Sequence, residues 1–595
     1  MRFLLIFIFL WFSVSVSGQS EQLAKNYMQQ GSYEKALSVY KKLYENSPNR
    51  INYILGVVSS HQQLEQFEEA EVILNLQLEK NPNNLLFLVE LGHHFELQQK
   101  KELANQYYQK AITGFDENNI NQVFSLGQTF EKYSLLDQAA IIYERGMKAN
   151  PGSSFNVQLA KIYGEQGKTE EMLEKYLSLI LEQPNYRNVV QRNISEYINE
   201  DPENEANLAF KKVLLKRLQQ NPDILYNEML SWLFVQQKEF KKAFIQEKAI
   251  YKRTEQGLDN ILNLARTAIQ QEDLKSATLI LNYVLESTAS KDLKLKAHKI
   301  ILKAETETAQ QQDYQKIEEK YKQVFEIYGK SRETIGLQTD YAHFIAFYQD
   351  RKKEAITFLK RLLKELALSR FQSARVKMEM ADILVLDQKF NQALIYYTQV
   401  QNTLKNNFLA QDARFKVAKT SYYKGDFKWA QTQLDVLKSS ATQLIANDAM
   451  ELSLIISDNS FEDSTQTALK IFARGDLLTF QQKNQEAISV YEQILTDHKG
   501  EKIEDEAFFR QAQLYEKEKM YDKAKLNYQK IIEFYPTDIL VDDAYYALAN
   551  LYTSVYNEPE KAKELYERII FNHANSIYYV DARKKYRMLR GDAIE

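Results

Sequence analysis

Apolar and polar positions alternate along this chain at the spacing of an amphipathic helix, and small residues return on a longer beat. Ala36, Ala70 and Ala104 are each 34 apart, Ala139 follows after 35 and Met172 after 33. A helix repeats its apolar face about every 3.6 residues and has no reason of its own to repeat anything at 34. Prolines keep the same time, with Pro48 and Pro82, then Pro151 and Pro184. Around each anchor one template recurs: Leu91-Gly92, Phe95, Ala104, Tyr108 and Ala111 in one unit, and Leu126-Gly127, Phe130, Ala139, Tyr143 and Gly146 in the next. Leu159-Ala160, Tyr163, Met172, Tyr176 and Leu179 follow, and Leu23-Ala24, Tyr27, Ala36, Tyr40 and Leu43 come first. Val57-Val58, His61, Ala70 and Leu74 give a weaker copy.

The template predicts pairs of antiparallel helices. Two helices approach closely only where side chains are small, and aromatics fill the space between pairs. Gly31 and Gly167 suit the turn between the helices, and the proline closes the second one. Looser copies follow at Ala265/Ala277/Leu281, Ala381/Ala393/Tyr397, Ala418/Ala430/Leu434, Ala487/Tyr491, Ala512/Ala524/Tyr528 and Ala549/Ala562/Tyr566. The expected organisation is a leader at 1–18, a regular array at 19–186, degenerate helical repeats at 187–335, repeat-like pairs at 336–456 and a second array with a capping helix at 457–595. Ser457–Ser464 is the expected loop, polar and turn-prone. A basic helix from Val580 to Leu589 should end the array, as repeat proteins require a polar cap.

Spacing of 34 residues in a helix–turn–helix unit resembles the tetratricopeptide repeat family. The fold that this implies is all-α, a right-handed solenoid of antiparallel helix pairs. Residues 466–590, with Asp543-Ala-Tyr-Tyr-Ala-Leu-Ala549 and Phe534-Tyr-Pro536, also resemble the lengthened repeats of bacterial periplasmic adaptors of the Tol-associated and outer-membrane-assembly types. In the family the first helix of each pair lines a groove. Carried by register, that implies a partner-binding face made of Lys25, Ser59, Gln62, His93, Glu96, Gln128, Glu131, Lys132 and Lys161, with Phe124 as an apolar anchor. Each of these also fits an ordinary solvated surface.

Composition narrows the picture. In 595 residues there are only 17 glycines and 8 prolines, too few for a turn-rich β architecture. The net charge is -4, and no clustered basic face of the kind that nucleic-acid binding needs is present. Cysteine is absent, which excludes disulfides, thiolate nucleophiles and a lipid-modified cysteine. No phosphate loop, dinucleotide fingerprint or catalytic motif occurs, so neither an enzyme nor a cofactor is expected. His93-His94 are neighbours that point about 100° apart on a helix, a poor metal pair, with His93 expected at the surface and His94 half-packed. Glu68-Glu69 and Glu170-Glu171 read as helix-start charges favoured by the helix dipole. The basic stretch from Arg351 to Arg370 reads as a solvated repeat helix.

Arg2, the apolar run Phe3–Phe12 and the small residues Ser13–Gly18 follow the order of a secretory signal. Cleavage is expected near Gly18–Gln19, leaving a mature chain with no membrane-spanning segment. The functional expectation is an exported scaffold that binds protein or peptide partners in a bacterial cell envelope, in the periplasm first and secreted second. Two other classes stay open: an envelope enzyme or regulatory subunit with chemistry in residues 187–335, and a self-associating structural spacer.

Overall fold

A computed structural model describes residues 20–82, 84–405, 407–440, 443–460 and 466–591. The expected leader and its cleavage site lie outside these residues. Among the described residues every regular element is a helix. A helix over 20–29 pairs with Tyr33–Asn46, and Ile51–Gln63 with Phe67–Lys80. Leu86–Leu97 pairs with Lys101–Gly114, Ile120–Lys132 with Leu136–Ala149, and Asn156–Glu165 with Thr169–Glu182. Two compact units divide the chain, Met1–Tyr226 and Asn227–Glu595, and the division falls inside the helix Ile224–Gln236.

The anchors are the contact points. Ala36, Ala70, Ala139, Ala265, Ala393, Ala418, Ala487, Ala512 and Ala562 have no exposed surface. On three first helices a glycine lies under a tyrosine ring from the second. A Cβ added at Gly92 would come within 2.3 Å of the Tyr108 ring, one at Gly127 within 2.4 Å of Tyr143, and one at Gly475 within 2.6 Å of Tyr491. The ring hydroxyl then reaches a carboxylate near the end of the first helix: Tyr108 to Glu96 at 2.6 Å, Tyr143 to Glu131 at 2.5 Å and Tyr528 to Glu516 at 2.5 Å. The turn between the helices needs a left-handed residue. Gly31 and Gly167 supply it at φ +72° and +70°, while Glu65, Gln99, Ser134, Gln388 and Lys519 adopt φ between +55° and +62° at the equivalent positions.

Between 187 and 335 the α-helices range from 8 residues (Arg187–Ile194) to 18 (Lys291–Thr308), which breaks the 34-residue beat. The expected loop at Ser457 begins too early. A helix spans Gln443–Ser460, so Ser457–Ser460 belong to it, and 461–464 lie outside the described residues. This helix is unpaired in the template sense and stands between the pair Phe408–Tyr423/Phe427–Ser440 and the pair Thr467–Phe480/Asn484–Asp497. The terminal helix runs Tyr579–Arg590 and packs Ala582 into the core of the last pair.

Candidate functional site

In the first unit the register-derived residues separate into three environments. Lys25, Gln128 and Lys161 are exposed, and so is Phe124, at 39%. Lys25 pairs with Glu21 at 2.9 Å and Lys161 with Glu165 at 3.7 Å, one helical turn away. Ser59 is half-buried. Glu96 and Glu131 accept the tyrosine hydroxyls that tie each pair together. Gln62 is buried, with its Nε2 3.5 Å from His94 Nδ1.

His93 and Lys132 meet around Glu90. Lys132 Nζ lies 3.2 Å from Glu90 Oε1, and the Tyr133 hydroxyl donates to Glu90 Oε2 at 2.6 Å. The His93 ring stacks on Tyr133 at 3.8 Å. This corrects the expectation that His93 is exposed and His94 half-packed: His94 has no exposed surface, and His93 is covered by the Tyr133 ring. Burial pushes the His93 imidazole down to about 4; Glu96 opposes the shift, and Lys132 and His94 add to it.

Charged groups converge more densely in the second unit. His343 Nδ1 lies 2.9 Å from Glu379 Oε1, and the ring stacks on Phe347. Burial opposes its protonation, but the Glu379 bond and charge hold His343 above its ordinary value. Lys416 Nζ is 2.7 Å from Asp382 Oδ2, and the Tyr397 hydroxyl donates to the other oxygen, Asp382 Oδ1. Asp476 accepts from Tyr491 at 2.6 Å and from Tyr422 at 2.9 Å. Arg510 Nη2 sits 2.6 Å from Glu451, with its Nε 3.9 Å from Asp476. Burial works against the Arg510 charge, yet Asp476 and then Glu451 keep it raised.

Beside Arg510 a cleft of about 500 Å³ opens between Phe408–Tyr423, Gln443–Ser460, Thr467–Phe480 and Glu504–Lys517. Phe415, Tyr423 and Phe480 form apolar walls, and Lys419, Asp448 and Lys517 stand around them. Among the described residues, no group of three or more histidines, aspartates or glutamates is arranged to hold a metal ion. Nor is any helix long and apolar enough to cross a membrane.

A tetratricopeptide-repeat pattern matches residues 21–50 and, at the other end, residues 506–538. The chain therefore carries tetratricopeptide repeats at both ends. A crystal structure of the APC/C hetero-tetramer Cut9-Hcn1 is 14% identical over 97% of this chain and 98% of that one, with a TM-score of 0.24. The structure of Naa15/Naa10 bound to HypK-THB is 14% identical over 90% and 96%, with a TM-score of 0.28. Neither superposition is close enough to add to the repeat assignment. No curated protein matches the sequence.

The tetratricopeptide register explains why the second unit's cleft escaped the sequence reading. In the first unit, the residue after the small anchor of each first helix gives Lys25, Ser59, His93, Gln128 and Lys161. The same step from Ala381, Ala418, Gly475 and Ala512 gives Asp382, Lys419, Asp476 and Gln513. Three of these line the cleft. Gly475 is the signal that was overlooked, because helix Gln443–Ser460 intervenes and shifts the phase. The irregular stretch 187–335 forms successive helices, and the residues that line the cleft lie beyond it, from Phe415 onward.

Proposed function

We propose that the chain is an exported scaffold of a bacterial cell envelope, acting in the periplasm, and that the second unit's cleft holds an extended segment of a partner protein. The tetratricopeptide repeats make it a scaffold for protein interactions. The observation that carries the site is the state of the cleft's charges. Lys419, Asp448 and Lys517 line it without an ion pair among the described residues, whereas Arg510, Asp476 and Glu451 beside them are engaged. Unpaired charges of both signs set around aromatic walls are what a peptide backbone with polar side chains can satisfy. Binding of this kind concentrates its energy in a few central positions. The order Arg2, Phe3–Phe12, Ser13–Gly18 supports export.

A photo-crosslinking residue in place of Lys419, expressed in cells and recovered from the osmotic-shock fraction, tests both halves. Discrete protein adducts are expected, reduced roughly tenfold by adding Lys517→Glu, since one lost charge contact at a hot spot costs more than about 1 kcal/mol. Adducts indifferent to the charge reversal would remove the cleft from the proposal. Recovery of the chain only in the cytoplasmic fraction would remove the export.

A further inference from the structure

The carboxyl-terminal edge of the second unit is unusually apolar. Seven described large hydrophobic side chains are more than 60% exposed, and five of them fall between residues 534 and 580. They are Phe534 (63%), Ile539 (66%), Phe571 (74%), Ile577 (84%) and Val580 (71%). They occupy equivalent places in successive repeats. Phe534 ends the helix Tyr521–Phe534, and Phe571 comes one residue before the end of Pro559–Asn572. Ile539 and Ile577 each sit two residues before the next helix, and Val580 lies in the first turn of the last one. Turns at equivalent positions of successive pairs share one edge of the array, which sets the five side chains in a strip along that edge. A strip of this kind on a protein surface marks an interaction site.

Charge is distributed along the strip in a fixed order. Glu533 and Asp538 flank Phe534 and Ile539 at its beginning, both exposed. Arg583 and Lys584 project from the terminal helix at its end, also exposed. None of the four makes an ion pair among the described residues. Acid, apolar strip and base therefore follow one another along the edge. A surface ordered in this way is complementary to itself when turned end for end, which is the requirement of an isologous two-fold interface. A lipid surface would meet the acidic end unfavourably, and a uniformly charged partner would match only one end.

We propose that this edge is the interface between two copies of the chain, related by a two-fold axis that sets Glu533 and Asp538 of one copy against Arg583 and Lys584 of the other. The interface is independent of the cleft, so the proposed partner binding can fail or stand without affecting it.

Sedimentation velocity of the full chain tests this. A dimer is expected, weakened roughly tenfold or more by F571D with I577D. Both side chains are exposed, so circular dichroism and melting temperature should not change. The charge order gives a sharper test. E533K with D538K should leave a monomer, as should R583E with K584E, because each variant sets like charges together. Mixing the two monomeric variants should restore association as a heterodimer. A chain that stays monomeric up to roughly 100 μM would overturn the proposal, since a stable protein interface reaches about μM affinity or tighter. So would a dimer indifferent to F571D with I577D. A monomer that pellets with phosphatidylglycerol vesicles would overturn it in favour of a lipid surface.

Discussion

Gly92 is set by Tyr108. Glycine inside a helix costs about 1 kcal/mol relative to alanine, so alanine would be preferred if the space allowed it. The ring of Tyr108 occupies the place of the missing Cβ. Gly92→Ala is therefore expected to destabilise the first unit by about 1–3 kcal/mol, the cost of overpacking, in spite of the better helix propensity. Gly114, at the end of Lys101–Gly114, is the control. A Cβ there meets only Leu85 Cδ2 at 3.4 Å, an ordinary contact, so Gly114→Ala should be neutral or mildly stabilising. Urea midpoints of the two variants separate these outcomes, and equal effects would show that the ring contact does not set the glycine. This level of the structure was legible from the chain alone, because a close helix crossing leaves a small residue at a fixed spacing from a large one. Burial of the neighbouring histidines was not legible. Their environment comes from Tyr133, just past the end of the next first helix, and from Gln62 one repeat back.

At the scale of the helix pair, the tyrosine does two things at once. Its ring packs on the small anchor, and its hydroxyl ends on a carboxylate 12 residues earlier in the Glu96/Tyr108, Glu131/Tyr143 and Glu516/Tyr528 pairs. The spacing is 15 for Asp382/Tyr397 and Asp476/Tyr491, because there the carboxylate sits about one turn earlier on the first helix, next to the small anchor. A hydrogen bond to a charged acceptor is worth about 1.5–3 kcal/mol. Tyr143→Phe and Tyr528→Phe keep the ring and remove only that bond, so each should lower stability by about this amount. Thermal denaturation of each variant checks it, and unchanged melting would reduce the bond to an incidental contact. Repeat drift also decided how much of the functional surface could be read. Five units in phase allowed positions to be carried from Lys25 to Lys161. Beyond helix Gln443–Ser460 the phase changes, and Asp476 became visible only once Gly475 was seen beneath Tyr491.

At the scale of the molecule, the two units carry opposite responses to acid. In the first, burial holds His93 down to about 4 and His94 below its ordinary value. A base with a depressed value in the fold stabilises the folded state above its ordinary 6.5, and that contribution is lost as pH falls towards 4. With screening at a partly covered site the loss is about 1–2 kcal/mol. In the second unit, His343 is raised, so its contribution is complete below 6.5 and lost as pH rises through the folded value. Burial raises Asp543 to about 6 and also lifts Asp340, Asp412 and Glu379. Carboxylates with raised values cost stability when ionised, and the cost is relieved on mild acidification. His298, lowered by burial, works the other way but is a single group. Glu318 turns the trend only further down. Burial opposes its charge, but Lys322, Arg351 and Gln349 hold it at about 2, so its contribution is present above the ordinary 4.5 and lost between there and 2. Going from pH 7 to pH 5 should therefore loosen the first unit and leave the second unchanged or tighter. Hydrogen exchange, expressed as protection factors to remove the intrinsic pH effect, reads the two units separately. Protection should fall in helices Leu86–Leu97 and Ile120–Lys132 while it holds in Ile335–Phe347 and Arg370–Leu386. His93→Gln should flatten the first response without changing the second. If both units lose protection together, burial of these groups does not govern the acid response, and the ion pairs on the surface do.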